Sequence, residues 1–389
     1  MSDVIKNYTV YHLHSDLSNG VTNIDSVTKY KQYVEYAKSL GMKALAFAEH
    51  GNIFEWVHKK ESIEEAGMKY IHAAEVYLTA DTDTEDKHRD NYHCVLIAKN
   101  YNGVKELNRL ISKSFDRSNY HYYYAPRIGL SELYATSDNI IITTACLGGV
   151  LGKADSDIKT EFLRFLIKNK HRCYLEVQHH NCEAQATYNK ILYAINQKTG
   201  IPLIAGTDTH CLNDTHIEGR SILQKSKNVF FSDEEAWDLT FKTYDELVEA
   251  YKNQGALSEE VYLEAIENTN TMADSIEEFK LDYDKKYPKL YADSEKVLKE
   301  KIVQGIKNRG VNKYDNFNEY KNKVQYELET YKYNGAIDFL LLEEDYKSAL
   351  RKQGVSFGYS RGSVSGSIIA YLLGITEVDS IKYGLNYER

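Results

Sequence analysis

Two histidines near the start of the sequence have a spacing that suits metal binding. His12 and His14 lie in the short apolar stretch 8–15, which has the alternation of a β-strand. Because side chains two apart on a strand point to the same face, both imidazoles would project together from the end of that strand. Neutral imidazoles are ligands for Zn, Mn or Fe. Taken alone, such a pair is more often two surface histidines. The residues on the later strands decide between a metal site and this simpler interpretation.

The same kind of residue recurs along the other predicted strands. About seven strands alternate with helices over residues 1–210, which predicts an α/β fold, a closed or nearly closed parallel barrel. In such barrels the active site lies at the carboxyl ends of the strands. The candidate metal ligands at or beside the predicted strands are His12, His14, His50, Glu75, His93, Cys146, Asp208 and His210. So many of them together favour a metal cluster over scattered polar residues.

These candidate ligands are too many for one tetrahedral ion. Two or three divalent metals (Zn, Mn or Fe) that share bridging carboxylates would use them all, and such multinuclear sites act on phosphate esters. We expect Glu75 to bridge two ions, and we expect Glu75 and Asp208 to be essential for catalysis. The nucleophile would be an activated water rather than a side chain. His179 and His180 are predicted either to support the ligands or to be exposed.

Composition and charge bound the classes of protein that the chain can belong to. A chain of 389 residues predicts two or three domains, and 42% hydrophobic with 27% charged residues is typical of a soluble globular protein. The net charge of −9 excludes a general basic coat but not a local groove for nucleic acid. The five cysteines form no C-x-x-C motif, which predicts free thiols. Without a membrane-spanning apolar run, we expect a cytoplasmic location and no membrane partner.

In chain order, the metal motifs resemble those of the polymerase-and-histidinol-phosphatase (PHP) domain. The matching stretches are His12-Leu-His14, Glu49-His50-Gly51-Asn52, Glu75, His93, Cys146-Leu-Gly-Gly149 and Asp208-Thr-His210. The resemblance implies a distorted (β/α)7 barrel that binds up to three metal ions. The family usually has an Asp just before the Gly that follows its first His pair, whereas Asn19 precedes Gly20 here. Asn19 would be a weaker ligand, and Asp16 is the alternative; neither is assigned.

The second half of the chain is predicted to be mostly helical and contains a loop rich in glycine and serine. The loop Gly358-Tyr-Ser-Arg-Gly-Ser-Val-Ser-Gly-Ser367 precedes an apolar run that is predicted to be a buried helix. A loop of this kind before a helix offers backbone N–H groups and hydroxyls to a phosphate. It is not a Walker motif, because no Gly-Lys-Ser/Thr is present. Taken alone, the loop fits a capped turn.

Following the metal motifs in this order, residues 356–389 resemble the start of the palm in the C-family of bacterial replicative DNA polymerases, the DNA polymerase III α family. The resemblance implies that Arg361, Gly362 and Ser363 bind the triphosphate of an incoming nucleotide. It also implies Mg with a deoxynucleoside triphosphate (dNTP) in the complete polymerase. The expected partners are DNA, as a single strand or primer-template, the remaining polymerase polypeptide and other replisome proteins.

The two resemblances divide the chain and set its expected activity. Residues 1–280 would form a PHP-like metal-dependent phosphoesterase domain, and 281–389 the beginning of a palm. The family's palm carboxylates lie beyond the position of Arg389, so we expect a fragment or one part of a split polymerase. The leading interpretation is a replication protein that hydrolyses phosphodiesters, as a 3′→5′ exonuclease. The alternatives are a stand-alone phosphatase of the histidinol-phosphate type and a catalytically silent barrel that keeps metals for stability.

Overall fold

The computed structural model describes residues 6–22, 24–80, 82, 90–229, 237–284, 286–360 and 362–387. The chain forms two compact units, Met1–Lys280 and Leu281–Arg389. The strands of the first unit are β1 Ala44–Phe47, β2 Lys69–Thr79, β3 Tyr92–Ala98, β4 Arg127–Gly129, β5 Ile140–Thr143, β6 Cys173–Gln178 and β7 Leu203–Gly206.

Helices precede, separate and follow these strands. They are α1 Asn19–Thr22, α2 Tyr30–Ser39, α3 Trp56–Glu65, α4 Tyr101–Ser114, α5 Leu130–Tyr134, α6 Val150–Lys153, α7 Ser156–Lys168, α8 Glu183–Thr199, α9 Asp214–Ser226, α10 Tyr244–Gln254 and α11 Glu259–Asp274. None of the helices that the structure describes is long and apolar enough to cross a membrane.

The strands form one mixed sheet in the order β1-β2-β3-β5-β6-β7, with β4 paired to β2 outside this path. β3 runs antiparallel to both of its neighbours, whereas the β1–β2, β5–β6 and β6–β7 pairs are parallel. The α/β barrel prediction is therefore confirmed, but the expectation of a parallel sheet is wrong at β3. The connection 80–91 lacks the apolar periodicity of a crossover helix, and a short connection pairs successive strands antiparallel.

The segment that carries the first two histidines joins the two ends of the sheet. Val10 forms a parallel bridge with Leu45 in β1, and Leu13 forms one with Thr209, just after β7. The backbone N–H of His14 donates to the carbonyl of Thr209 at 2.8 Å. Isolated bridges rather than a regular strand therefore close the barrel, and both histidines lie at the seam.

The two faces of β2 carry different side chains, and this alternation separates the site from the main core. Ile71 and Ala73 belong to a small apolar cluster on the face that also carries Glu75. The opposite face packs in the large core beneath the helices and carries His72, whose imidazole contacts the Asn108 side chain at 2.8 Å. His72 is thus engaged away from Glu75, on the face that its strand position predicts.

The second unit is helical in the part that the structure describes and has its own apolar core. Its helices are α12 Ser294–Arg309, α13 Phe317–Tyr333, α14 Ile337–Lys352 and α15 Ile368–Leu372, with 3₁₀ turns at Val311–Lys313 and Ser363–Gly366. Buried core residues include Leu298, Ile302, Leu328, Leu341 and Ile369. The glycine- and serine-rich loop therefore leads into a short buried helix, as predicted from the sequence.

Candidate metal centre

Three groups of side chains in the first unit come close enough to hold metal ions. The groups are His14, Asp25, His50 and His210; His12, His14 and Asp208; and His50, Glu75 and His93. Within each group, one atom of every side chain lies within 4.8 Å of the others. Because His14 and His50 each belong to two groups, the three groups form one continuous cluster, which we call the metal centre.

Glu75 lies where two strands bring histidines to either side of its carboxylate. His50 follows β1 and forms a parallel bridge with Glu75, and its Nδ1 is 2.7 Å from Oε2. His93 is near the start of β3, and its Nδ1 is 2.9 Å from Oε1. The antiparallel direction of β3 puts the start of that strand beside the end of β2, which explains how His93 reaches the site. Each oxygen of Glu75 thus faces a different histidine, as a bridging ligand would.

Asp208 meets the two histidines of the seam. Its Oδ1 is 3.2 Å from Nε2 of His12 and 3.3 Å from Nε2 of His14. Asp208 follows β7 with a φ of 46°, a left-handed conformation that aspartate tolerates better than most residues. Its carbonyl oxygen lies 2.7 Å from Nδ1 of His210, so the other ring nitrogen of His210 is left facing the cluster.

Asp25 belongs to the cluster and was not predicted from the sequence. Its Oδ2 is 2.7 Å from Nε2 of His50, and its Oδ1 is 3.5 Å from Nε2 of His210. Neither Asn19 nor Asp16, the two residues considered in place of the family's usual aspartate, supplies this carboxylate. Asp16 pairs with Lys29 instead. The carboxylate beside His50 and His210 therefore comes from a later position than Asn19. One sign of this in the sequence is a second aspartate between His14 and α2.

Asn19, which would be a weaker ligand and is not assigned as one, forms hydrogen bonds within the loop that carries Asp25. Its side-chain Oδ1 accepts hydrogen bonds from the backbone N–H groups of Asp25 at 2.6 Å and of Ser26 at 3.1 Å. Its amide donates to the carbonyl of Ser26 at 2.7 Å. Asn19 therefore holds the turn that presents the Asp25 carboxylate, and it contributes to the site through that turn.

Replacing Asp25 is expected to remove metal, whereas replacing Asp16 is not. Asp25→Asn keeps the shape of the side chain but removes the charge beside His50 and His210, so the bound metal per chain should fall. Asp16→Asn is the matched control, because it changes an aspartate that faces Lys29. Elemental analysis of both purified variants measures the difference. Equal metal content in Asp25→Asn and the wild type would contradict the placement of Asp25 in the centre.

Cys146 lies at the margin of the centre. Its Sγ is 3.5 Å from Nδ1 of His93, and the side chain is buried. Burial, together with the nearby Asp208 and Glu75 carboxylates, raises the pKa of the Cys146 thiol well above its usual value. Among the described residues, the close-packed groups do not include Cys146, so its contact with the cluster runs through His93.

Several buried polar atoms of the centre form no hydrogen bond of good geometry within the described parts of the chain, although some of them lie at ion-pair distance from one another. They are Nε2 of His12 and His14, Nδ1 of His50, Oδ2 of Asp25, both oxygens of Glu75 and Oδ1 of Asp208. Burying a polar atom without a well-formed hydrogen bond costs about 1–3 kcal/mol, and more for a charged group. Divalent cations would satisfy them together, and imidazole nitrogens with carboxylate oxygens suit Zn, Mn or Fe. The residues present therefore fit a multinuclear metal centre.

The electrostatics of the centre keep its carboxylates ionised but do not keep every histidine neutral. Burial lowers the pKa values of His12 and His50, but Glu176 beside His12 and Asp25 beside His50 outweigh it and raise both pKa values well above the usual range.

Burial alone would raise the pKa of Glu75, but the neighbouring His93 and His50 outweigh it and hold that pKa well below its usual range. Burial likewise opposes the effect of His12 on Asp208, whose pKa is also held well below its usual range. Burial, with His50 close by, lowers the pKa of His14 to about 4. Glu75 and Asp208 are therefore anionic and His14 is neutral near pH 7.

Exposure to solvent differs among the described side chains of the centre. The side chain of His93 is 25% exposed, whereas those of His12 and His14 are fully buried. His179 and His180 are also buried, so the alternative that they are exposed is wrong. The His180 ring stacks on Trp237, with ring centroids 5.2 Å apart. The solvent-accessible approach to the centre is therefore beside His93.

The predicted nucleotide-binding loop lies in the second unit. Arg361 is outside the described residues, and Gly362, with a φ of 74°, precedes the 3₁₀ turn that starts at Ser363. The amides at the start of α15 are already bonded: Ile368 and Ile369 donate to the buried Glu327 of α13 at 2.9 and 3.0 Å. A phosphate would therefore have to use the loop itself rather than the first amides of α15.

Removing the Glu327 carboxylate should destabilise the second unit. Glu327→Ala leaves the Ile368 and Ile369 amides buried without an acceptor, at a cost of about 2–3 kcal/mol. Glu329→Ala, on the exposed side of the same helix, is the matched control. Urea unfolding of both variants measures the difference. Equal midpoints for the two variants would show that Glu327 does not stabilise this helix start.

The chain is similar to known proteins along nearly its whole length. Residues 11–180 match the family model of the PHP domain, and residues 296–389 match that of the bacterial DNA polymerase III alpha NTPase domain. DNA polymerase III subunit alpha of Borreliella burgdorferi is 30% identical over 97% of this chain and 33% of its own length. The Aquifex aeolicus subunit is 29% identical over 99% of this chain and 35% of its own length. The chain thus spans about a third of the length of these relatives.

Among solved structures, the chain aligns with a two-domain protein of Bacteroides vulgatus that contains a predicted PHP-like metal-dependent phosphoesterase. The identity is 14%, the TM-score is 0.35, and the alignment covers 64% of this chain and 63% of that chain. A TM-score this low supports no conclusion about the site. The likeness of this chain to known proteins therefore comes from the two family models and from the relatives.

Proposed function

Because this chain contains a PHP domain and is related along nearly its whole length to DNA polymerase III α subunits, we propose that its metal centre hydrolyses phosphodiester bonds in DNA. The direction of degradation that we propose is 3′→5′, as for an exonuclease. The observation that carries the proposal is the convergence of buried imidazole nitrogens and carboxylate oxygens that form no hydrogen bond of good geometry. Such a donor set is typical of metal-dependent phosphoesterases.

We assign the ligands of two or three divalent ions to the side chains of the metal centre. They are His12, His14, Asp25, His50, Glu75, His93, Asp208 and His210, with Cys146 as a ligand at the margin. When bound, divalent ions of this kind supply Lewis-acid chemistry that activates water and neutralises charge on a phosphate. The donor types do not separate Zn, Mn and Fe, so the identity of the metal is left to measurement.

The chain's own side chains have distinct tasks in this reaction. Glu75 presents one oxygen toward His50 and the other toward His93, and so would set the spacing of neighbouring ions. Asp208 presents Oδ1 between His12 and His14, and its ionised state keeps an acceptor at that point. The exposed His93 marks the side from which a phosphodiester reaches the ligands. We therefore propose Glu75 and Asp208 as the residues on which catalysis depends most.

We propose that residues 1–280 act as the phosphoesterase domain and that residues 281–389 begin a polymerase palm. In that palm, Arg361, Gly362 and Ser363 would contact the triphosphate of a dNTP, with Mg²⁺ serving the complete polymerase. The partners that follow are DNA and the other proteins of a replisome. The relatives' names support this assignment, because they are DNA polymerase III α subunits.

The test is hydrolysis of a labelled single-stranded oligonucleotide by the metal-loaded chain. We expect stepwise shortening of a 5′-labelled strand, loss of activity with a chelator, and recovery when Mn²⁺ or Zn²⁺ is added back. Histidinol phosphate is the comparison substrate, because preferential release of phosphate from it would favour the stand-alone phosphatase. Metal binding without hydrolysis of either substrate would favour the catalytically silent barrel.

A further inference from the structure

Glu176 is a buried carboxylate behind the metal centre, outside the groups that could hold an ion. It lies on β6 and is fully buried. Its Oε1 is 2.6 Å from Nδ1 of His12. The opposite ring nitrogen of His12, Nε2, is 3.2 Å from Asp208 and 3.5 Å from Glu75. His12 therefore lies between a carboxylate behind it and the candidate ligands in front of it.

Neutral donors hold this carboxylate in place. The hydroxyls of Tyr11 and Thr143 donate to Oε2 at 2.9 and 2.8 Å, and the amide of Gln178 donates to Oε1 at 2.8 Å. A carboxylate only accepts hydrogen bonds, so the proton between Glu176 and His12 lies on Nδ1. A neutral His12 then has its lone pair on Nε2, the atom that faces the metal centre.

Two other histidines of the metal centre, His14 and His210, have uncharged partners at Nδ1. Nδ1 of His14 contacts the Ser18 hydroxyl at 3.1 Å, and Nδ1 of His210 contacts the backbone carbonyl of Asp208 at 2.7 Å. Of these three histidines, His12 is the one whose Nδ1 is at hydrogen-bond distance from a carboxylate, since Nδ1 of His210 is 3.7 Å from the Asp208 carboxylate. Carboxylates in this position fix the ring and raise the basicity of the nitrogen that binds the metal.

A glycine on the neighbouring strand leaves room for the carboxylate. Gly206 on β7 pairs with Gln178 on β6. A Cβ at position 206 would lie 2.2 Å from Oε1 and 2.4 Å from Cδ of Glu176. Any side chain at 206 would therefore displace the Glu176 carboxylate from His12, which gives a second, independent way to test the contact.

We propose that Glu176 is a positioning residue that fixes His12 with Nε2 toward the metal centre, in a space that Gly206 leaves open. The proposal rests on the proposed metal centre, but it does not depend on which reaction that centre performs. Loss of a partner of this kind typically weakens metal binding about 10- to 100-fold. Glu176 would thus affect the affinity for metal without being a ligand.

Zn²⁺ alone is the probe, titrated into the metal-free chain against a competing chelator. Glu176→Gln should weaken the tightest Zn²⁺ site about 10- to 100-fold, because an amide replaces the charged acceptor behind His12. Glu176→Asp should recover part of the affinity, since it keeps the charge. Glu249→Gln is the matched control, because it makes the same substitution at an exposed glutamate that pairs with Lys252, and its Zn²⁺ affinity should stay close to that of the wild type.

Nitrogen-15 NMR of the imidazoles reports which ring nitrogen carries the proton. That signal would not change if Glu176 only stabilised the fold. His12 should carry its proton on Nδ1 in the Zn²⁺-loaded wild type, and both Glu176→Gln and Gly206→Ala should disturb that signal. If Glu176→Gln lowers the melting temperature of the metal-free chain, Glu176→Asp provides the affinity comparison in its place. Wild-type Zn²⁺ affinity and an unchanged His12 signal in Glu176→Gln would overturn the proposal, as would a wild type that binds no Zn²⁺.

The same experiment separates this proposal from the proposed activity. A wild-type chain that binds Zn²⁺, is weakened by Glu176→Gln and yet hydrolyses no oligonucleotide would contradict the exonuclease and support the role of Glu176. Suppose that the wild-type chain hydrolyses DNA and that Glu176→Gln binds Zn²⁺ with wild-type affinity. That result would contradict the role of Glu176 and would still support the proposed exonuclease activity.

Discussion

Glu75→Gln and Asp208→Asn are each expected to lower phosphodiester hydrolysis by at least about 100-fold, the effect of removing one strong electrostatic stabiliser from an active site. Glu75 faces His50 with one oxygen and His93 with the other, so an amide there replaces the charge between these two histidines with a neutral group. Asp208→Asn removes the charge between His12 and His14. The measurement is the rate of shortening of a labelled oligonucleotide with metal in excess.

The control for these variants is Glu249→Gln, an exposed glutamate of α10 that pairs with Lys252 on the surface. It makes the same chemical change away from the metal centre and should leave the rate unchanged. Because the site variants are close in shape to the wild type, their circular dichroism should stay native. Hydrolysis at the wild-type rate by Glu75→Gln would mean that the activity does not come from this centre.

Replacing His12 and His14 together by alanine is expected to remove metal and lower the melting temperature at the same time. Binding of an ion at about 1,000 times its Kd stabilises a folded chain by about 4 kcal/mol, which corresponds to a shift on the order of 10 °C for a unit of this size. The double variant should therefore melt well below the metal-loaded wild type. Differential scanning calorimetry with and without a chelator measures both contributions.

The chelator separates lost metal from lost packing. It should lower the melting temperature of the wild type and have little effect on the double variant. His171→Ala replaces an exposed histidine that pairs with Asp138, and it should respond to the chelator as the wild type does. A wild-type melting temperature that the chelator does not change would contradict the link between metal and folding.

Residues at strand ends could be predicted from the sequence because their strands have clear apolar patterns. His50, Glu75 and Asp208 follow or lie within short buried runs, and alternation along a strand fixes which side chains share a face. The structure brings these side chains together at one edge of the barrel. Their roles as ligands and catalytic residues stay predictions until metal and activity are measured.

Features that depend on loop geometry could not be predicted in this way. Asp25 reaches the centre because the Asn19 side chain bonds the amides at the turn, and no periodicity marks such a turn. Glu176 sits within a strand, where one buried carboxylate resembles any other until its contact with His12 is known. Glu327 likewise caps a helix distant in sequence, a contact that only the tertiary structure reveals.

The antiparallel direction of β3 explains why His93 lies in the metal centre. For a parallel barrel, His93 at the start of its strand would lie at the end opposite to the active site. β3 is antiparallel to β2, so the start of β3 lies beside Glu75 and His93 comes within 2.9 Å of it. The motif order suggested that His93 belongs with the other ligands, and the mixed sheet supplies the physical reason.

The most direct test of the metal centre is the metal content of the purified chain. Elemental analysis by mass spectrometry, on protein prepared without a chelator, should find two or three equivalents of Zn, Mn or Fe per chain. The number should fall in the His12→Ala, His14→Ala double variant and in Asp25→Asn. A wild-type chain that holds none of these metals, both as purified and after incubation with each of them, would contradict the proposal that these side chains bind metal.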